Sequence, residues 1–173
     1  MDDWDPGDCE VVDSIVFDVF GLPAPQGSKK GFVIKKGSRR GMVRMIEVSK
    51  KVKPWRARVS AVARKAAVEF GWLKHSEGPV KVNIQFFVKY PQAPKWKRNG
   101  RPDRTPDIDK LARSTLDGLS DARLIWGDDN QVVDLHAVEF YRDPPGARIH
   151  IVSMRECAKP KKRLKKENKT LAP

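Results

Sequence analysis

The segment TPDIDKLARSTLDGLSDARLIWGDDNQV, residues 105–131, constrains the fold more than any other part of the chain. Pro106 disfavours helix at the residue before it, and Asp109 followed by strong helix formers predicts an N-cap and a helix to about residue 119. Turn formers at residues 127–130 then lead into QVVDLHAVEFYR, a predicted strand. We expect a helix, a tight turn and a strand, with carboxylates at the start of the helix and in the turn.

Other patterns extend this unit to a mixed architecture. Residues 80–88 alternate apolar and polar side chains, which is typical of a strand with one buried face, and SIVFDVFG is a second predicted strand. GFVIKKGSRRGMVRMIEV predicts short strands around a glycine-rich turn. Apolar side chains at helical spacing between Pro54 and Gly71 predict an amphipathic helix. We therefore expect an α+β fold, a mixed and mainly antiparallel sheet with two principal helices, residues 54–71 and 109–119.

The chain has 173 residues, the usual size of one domain. We expect an acidic flexible arm at residues 1–14, a folded domain at 15–153 and a basic flexible tail at 154–173. The acidic start does not resemble a secretory signal, and no apolar run is long enough to span a bilayer. Cys9 and Cys157 fit neither a zinc motif nor a disulfide framework. A soluble cytoplasmic protein without a membrane partner is expected.

A formal net charge of +13 indicates an anionic partner, and nucleic acid is the commonest one. The charge is clustered, because fourteen basic residues between Lys29 and Lys65 face one acid, Glu47. Trp96, flanked by cations, either stacks on a base or caps the edge of the core. The candidate DNA-binding residues are Lys29, Lys30, Arg39, Arg40, Lys95, Trp96, Lys97, Arg98, Arg104 and Lys110.

The segment GLPAPQGSKK does not match a nucleotide-binding P-loop. Gly27 comes one place late for that motif, and a serine precedes the lysine instead of following it. No nucleotide cofactor is expected.

The aspartates of the first segment have ordinary explanations when each is taken alone. Asp109 is a typical N-cap, Asp128 and Asp129 are typical turn formers, and Asp117 is a typical surface residue paired with Arg113. As a set they indicate more. Asp107 and Asp109 project the same way from extended chain, and the turn can direct Asp129 towards them. Converging carboxylates repel unless a cation neutralises them, and oxygen ligands suit Mg²⁺, with Mn²⁺ as an alternative.

On a basic protein, carboxylates that hold Mg²⁺ make phosphodiester hydrolysis the natural chemistry. Arg113, one turn after Asp109, would stabilise charge at phosphorus, and because a guanidinium stays protonated in proteins it would not act as a general base. A restriction-type core is disfavoured because Glu139-Phe140-Tyr141 stands where Asp/Glu-x-Lys is needed. A histidine-based nuclease is disfavoured because each histidine, His75, His136 and His150, stands outside a metal-binding motif.

The order of these motifs resembles the RusA family of Holliday junction resolvases over roughly residues 15–153. The motifs that carry the resemblance are Pro106-Asp107-Ile108-Asp109, the basic residue at 113, Leu116-Asp117-Gly118-Leu119 and Asp128-Asp129-Asn130-Gln131-Val132, together with the early GLPAPQGSKK. The resemblance implies a RusA-like, Mg²⁺-dependent endodeoxyribonuclease. It also implies a homodimer that nicks opposed strands of four-way junction DNA during recombination and repair.

The resemblance assigns Asp107, Asp109 and Asp129 as metal ligands and Arg113 as a catalytic cation, with Asp128 as a weaker candidate. Two positions depart from the family: Lys110 replaces its asparagine and Arg113 replaces its usual lysine. The alternative function is a non-catalytic protein that binds junction or duplex DNA, which Lys110 favours because it places a cation beside the site. The family suggests a bacterial cytoplasm, or the host cytoplasm if a phage encodes the protein.

Overall fold

The computed structural model describes residues 11–27, 29–47, 49–72, 78–91, 102 and 106–154. This part of the chain contains six strands and two α-helices. In chain order they are β1 (Val11–Phe20), β2 (Lys29–Val33), β3 (Val43–Glu47), α1 (Val52–Glu69), β4 (Val80–Val88), α2 (Ile108–Ala122), β5 (Val132–Tyr141) and β6 (Gly146–Met154), with a 3₁₀ turn at Asp129–Gln131 before β5. The expected α+β class is confirmed.

Four strands form the main sheet in the order β1-β6-β4-β5. β6 pairs antiparallel with both β1 and β4, whereas β4 and β5 are parallel. The parallel pair follows from the connection, because α2 crosses over between the two strands. The sheet is therefore mixed and mainly antiparallel, as expected.

The two helices cover one face of the sheet and form the core with it. Most strand side chains that point to this face are buried, including Ile15 and Phe86, and so is the inner side of each helix. The indole of Trp55 in α1 donates a 3.1 Å hydrogen bond to the hydroxyl of Thr115 in α2. Gly118 lets the helices approach closely, since a Cβ atom there would lie 3.0 Å from the Cβ atom of Val59. The LDGL motif thus brings α2 against α1.

Helix α2 differs from its predicted bounds at both ends. Asp107, not Asp109, is the N-cap, with extended backbone and no side-chain capping hydrogen bond. The carbonyl of Asp107 accepts the N–H of Leu111, so the helical bonding begins two residues earlier than the cap preference of Asp109 indicated. At the other end the helix continues to Ala122, which is buried, and ends at Arg123 in the left-handed conformation.

Strands β2 and β3 form a separate two-stranded sheet, the β2–β3 hairpin. Its ladder is extended by the N–H of Ile34, which donates to the carbonyl of Met42 over 2.9 Å. Gly37 and Gly41 have positive φ values of 84° and 89°, a conformation that glycine adopts without strain. The expected strands around a glycine-rich turn are confirmed.

Neither helix in the described ranges is long and apolar enough to cross a membrane.

Candidate functional site

The first turns of α2 are held against the loop that follows β1. The hydroxyl of Ser114 donates a 2.6 Å hydrogen bond to the carbonyl of Ala24, and both residues are buried. The N–H of Gln26 donates to the carbonyl of Lys110 over 3.0 Å. The proline-containing loop PAPQ therefore fixes the position of the helix start, where the first two candidate aspartates lie.

Asp107 and Asp109 are both exposed at this helix start. Asp107 ends the extended segment, and Asp109 lies in the first turn, where a negative charge is favourable near the helix N-terminus. The ammonium of Lys110 forms an ion pair with the carboxylate of Asp107. This hydrogen bond and the charge of Asp107 raise the pKa of Lys110. Lys110, one of the two residues that depart from the family pattern, would therefore compete with a metal ion for the carboxylate of Asp107.

The turn that carries Asp128 and Asp129 is braced by hydrogen bonds. The side chain of Asp128 caps the 3₁₀ turn, accepting the N–H of Asn130 over 2.9 Å. The side chain of Gln131 accepts the N–H of Gly127 over 2.8 Å and donates to the carbonyl of Gly78 over 3.0 Å. The DDNQ sequence is therefore explained as a capped turn tied to the chain before β4, and Asp128 has a structural role.

Asp129 lies among other acidic groups. Partial burial of its carboxylate, followed by the hydrogen bond and charge of Asp128 and the charge of Asp117, raises the pKa of Asp129. Burial is the largest cause of this rise, the neighbouring carboxylates add to it, and a bound cation would lower the pKa again.

Arg113 is exposed on α2, one turn from Asp109 and one turn from Asp117. The expected pairing of Asp117 with Arg113 is wrong: Asp117 pairs over 3.1 Å with Arg56 of α1, which also binds Asp121 over 2.9 Å. The close packing of the helices brings Arg56 to these carboxylates, a tertiary effect that helical spacing does not show. Arg113 can therefore extend from the surface between the two acidic positions.

Glu139 is a candidate that the sequence did not single out. It pairs with Phe86 across β4 and β5 and so lies on the face of the sheet that the helices cover. Its Oε1 atom is buried without a hydrogen-bond partner. Burial, and secondarily the charge of Asp107, raise the pKa of Glu139 to about 7. The sequence signal that could have identified Glu139 was the alternation along β5, which places this acid on the same face of the strand as Leu135 and Ala137.

These carboxylates form two groups, one at the start of α2 and one at the turn before β5. Asp107 and Asp109 lie at the start of α2, and the charge of Asp107 contributes to the raised pKa of Glu139. Asp128 and Asp129 lie in the turn, where the charge of Asp117 contributes to the raised pKa of Asp129. Across the described ranges, no three acidic, histidine or cysteine side chains converge closely enough to hold a metal ion. The three-aspartate site thus stays a prediction. The donor chemistry does fit a hard divalent cation, since every group offers carboxylate oxygens and one such oxygen, Glu139 Oε1, lacks a partner.

Some candidate DNA-binding residues can be placed. Arg39 and Arg40 are exposed in the turn of the β2–β3 hairpin, and Lys110 is exposed at the start of α2. Lys29 and Lys30 lie in β2, but their side chains are outside the described part of the structure. Lys95, Trp96, Lys97, Arg98 and Arg104 also lie outside the described residues.

An α+β domain that combines exposed carboxylates at one helix start and at the next turn with a basic hairpin is suited to act on nucleic acid. A family model described as Endodeoxyribonuclease RusA matches residues 24–152. The chain therefore belongs to the RusA endodeoxyribonuclease family, the family of Holliday junction resolvases, and the resemblance carried by the motifs is confirmed. The chain is also 30% identical over 149 residues to Uncharacterized protein YqaN of Bacillus subtilis (strain 168), a match that covers 81% of this chain and 96% of the relative.

Proposed function

We propose that this protein is a Mg²⁺-dependent endonuclease that resolves four-way DNA junctions by paired nicks. It acts in DNA recombination and repair, in the cytoplasm of a bacterium or of a phage host. The observation that carries the proposal is the exposed pair Asp107 and Asp109 at the start of α2, at the motif positions of a nuclease family that matches residues 24–152.

Asp107, Asp109 and Asp129 are the proposed cation ligands, for Mg²⁺ or alternatively Mn²⁺. When bound, the cation would activate water and neutralise charge on the scissile phosphate. Asp128 is a weaker candidate because its carboxylate already caps the turn. Neighbouring carboxylates add to the effect of burial in raising the pKa of Asp129 and of Glu139, and a bound cation would offset these negative charges, which supports the proposal.

Arg113 is the proposed catalytic cation. It is exposed one turn beyond Asp109, so its guanidinium can reach a phosphate held at the helix start. A guanidinium stays protonated at every physiological pH, so its role is to stabilise negative charge and not to transfer a proton. The planar fork of donors also suits two phosphate oxygens at once.

The DNA backbone is held by cations around the site. Arg39 and Arg40 at the hairpin turn and Lys110 at the helix start are exposed, and the chain carries a formal net charge of +13. Phosphate contacts of this kind position DNA without reading its sequence.

A homodimer is the proposed assembly. A four-way junction has near two-fold symmetry, and a two-fold symmetric dimer presents two identical sites to two equivalent strands. Paired nicking then follows from symmetry alone.

The alternative function is a non-catalytic protein that binds junction or duplex DNA. The ion pair between Lys110 and Asp107 favours it, because this ammonium occupies a carboxylate that the catalytic proposal assigns to the cation. In that case Lys110 would stand permanently in place of the metal.

The deciding experiment is a nicking assay on a labelled four-way junction and on linear duplex of the same sequence, with Mg²⁺ or with EDTA. We expect paired, Mg²⁺-dependent nicks near the crossover. Asp107→Asn should reduce nicking by more than the roughly 10- to 100-fold that loss of an outer-shell partner costs. It should bind the junction as well as wild type or better, since it removes a negative charge.

Asp121→Asn, at the far end of the same helix, is the matched control and should nick normally. Tight junction binding without cleavage in any divalent metal would establish the alternative function. Loss of folding or binding together with nicking in Asp107→Asn would instead reject the ligand role of Asp107.

A further inference from the structure

The β2–β3 hairpin exposes apolar side chains that the core does not use. Phe32 is 46% exposed, Val33 53% and Val43 65%, and the two strands pair only with each other. Apolar side chains grouped on an element outside the core indicate a contact with another molecule.

The two faces of the hairpin differ in chemistry. Phe32 pairs with Arg44 across the strands, and Val33 pairs with Val43. Cross-strand partners share a face, and successive residues point to opposite faces. One face therefore presents an aromatic ring beside a guanidinium, and the opposite face presents two valines.

The positive charge of the hairpin indicates which class of molecule it contacts. Residues 31–44 contain five cations and no acid, and all five cations are exposed: Lys35, Lys36, Arg39, Arg40 and Arg44. The ion pairs found in the described part of the chain include none of them. Five cations around an exposed ring match a nucleic acid strand, whose phosphates need cations and whose unstacked bases need an aromatic surface.

The base of the hairpin is fixed beside the candidate active site. The N–H of Gln26, three residues before β2 begins, donates to the carbonyl of Lys110, next to Asp109. Even if fully extended, the chain from Gln26 to Phe32 would span at most roughly 20 Å. The distance from the Phe32 ring to the start of α2 is therefore less than about one helical turn of DNA. A strand bound by the hairpin can therefore continue into the site.

We propose that the β2–β3 hairpin is a base-stacking arm, in which Phe32 stacks on a DNA base exposed at a branch point while the neighbouring cations hold the flanking phosphates. Duplex DNA offers the arm only phosphates, because its bases are stacked on each other. The arm thus confers a preference for branched over linear DNA. The inference rests on the proposed function for the identity of the branched substrate.

Binding measured in EDTA separates this inference from catalysis. The probe is a four-way junction with 2-aminopurine, which becomes more fluorescent when it is unstacked, at the crossover. Because Phe32 stacks on the probe, wild type should lower the fluorescence, and Phe32→Ala should abolish the decrease and weaken junction binding by roughly tenfold. Its affinity for linear duplex should change less than twofold, and Phe32→Trp should restore the junction preference.

Val33→Ala is the matched control, since it truncates an exposed apolar residue on the other face of the same strand. Equal junction affinities for Phe32→Ala and Val33→Ala would overturn the inference and leave the hairpin a purely electrostatic contact. If wild type binds junction and duplex equally, the proposed junction specificity fails instead. Binding of single-stranded DNA by the same two variants then decides the inference: a loss confined to Phe32→Ala supports stacking, and equal binding rejects it.

Discussion

At the scale of single residues, Lys110 is positioned to oppose cation binding at the proposed ligand Asp107. Its ammonium pairs with the carboxylate of Asp107, so a divalent cation must displace it. We expect Lys110→Asn to bind Mn²⁺ more tightly, by up to about fivefold as for an exposed ion pair. Titration of Mn²⁺ followed by electron paramagnetic resonance measures this directly, without DNA.

Lys65→Asn is the control for Lys110→Asn, because Lys65 pairs with Glu69 on α1 at a similar exposed position. It should leave Mn²⁺ affinity unchanged. Unaltered affinity in Lys110→Asn would mean that Asp107 is not a ligand.

Glu139 makes stability depend on pH in the metal-free protein. Its pKa is raised from 4.5 to about 7, with burial as the main cause, so between these pH values the folded protein holds a proton that the unfolded chain releases. Stability therefore falls as pH rises through this window. Glu139→Gln should remove that decline and be more stable at pH 8, by on the order of 1 kcal/mol after allowance for solvent screening.

Urea denaturation in EDTA at pH 5 and pH 8 tests the role of Glu139. The matched variant Glu69→Gln, on the surface of α1, should keep the decline of the wild type. An equal decline in Glu139→Gln would show that other groups cause it.

The sequence identifies a residue's role when that role depends on its neighbours in the chain, and misses it when the role depends on residues that only the fold brings close. Asp107 and Asp109 were placed correctly near a helix start, because the proline and the helix formers act locally. Glu139 was missed because an acid in a strand is unusual only once its face and its buried neighbours are known. The partner of Asp117 was missed for the same reason, since Arg56 comes from another helix.

At the scale of elements, local patterns predicted most boundaries to within a few residues. The first helix was expected at 54–71 and is Val52–Glu69. The order of the strands carries no such local signal. β6 lies between β1 and β4 although it is the last strand of the described residues, and its pairing with β1 across more than a hundred residues is set by the whole core.

The contact between the two helices depends on the missing side chain at Gly118. A Cβ atom there would lie 3.1 Å from the carbonyl oxygen of Arg56 and 3.0 Å from the Cβ atom of Val59, closer than either group can comfortably allow. Gly118→Ala should destabilise the protein by about 1–2 kcal/mol, because overpacking outweighs the gain in helix propensity. Thermal and urea unfolding of the variant measure the loss.

Val59→Ala combined with Gly118→Ala tests the cause. Val59→Ala removes Cγ1, which would lie 3.1 Å from the new Cβ atom at position 118, so the double variant should be more stable than the sum of the two single effects. If the two effects simply add, the contact with the valine methyl groups is not the cause of the destabilisation by Gly118→Ala.

At the scale of the whole molecule, the positive charge should make DNA binding strongly dependent on salt. The logarithm of affinity should fall with the logarithm of salt concentration at a slope near −0.9 per phosphate neutralised. Replacing Arg39 and Arg40 together by alanine should flatten that slope by about 2 if each contacts one phosphate. Fluorescence anisotropy from low to moderate salt gives the slope.

Lys89→Ala, an exposed cation at the end of the sheet, should leave the slope unchanged. A slope unaffected by the Arg39 and Arg40 replacements would exclude the hairpin turn from the DNA interface.

The central position of β6 also determines when the protein can become active during its synthesis. Until Met154 has emerged from the ribosome, β1 and β4 lack the strand that joins them, so the sheet that supports α2 is incomplete. A nascent chain already carries its basic residues but not the arranged carboxylates. The nuclease is therefore assembled in one late step, and partial translation products bear the charge for nucleic acid without the fold needed to cut it.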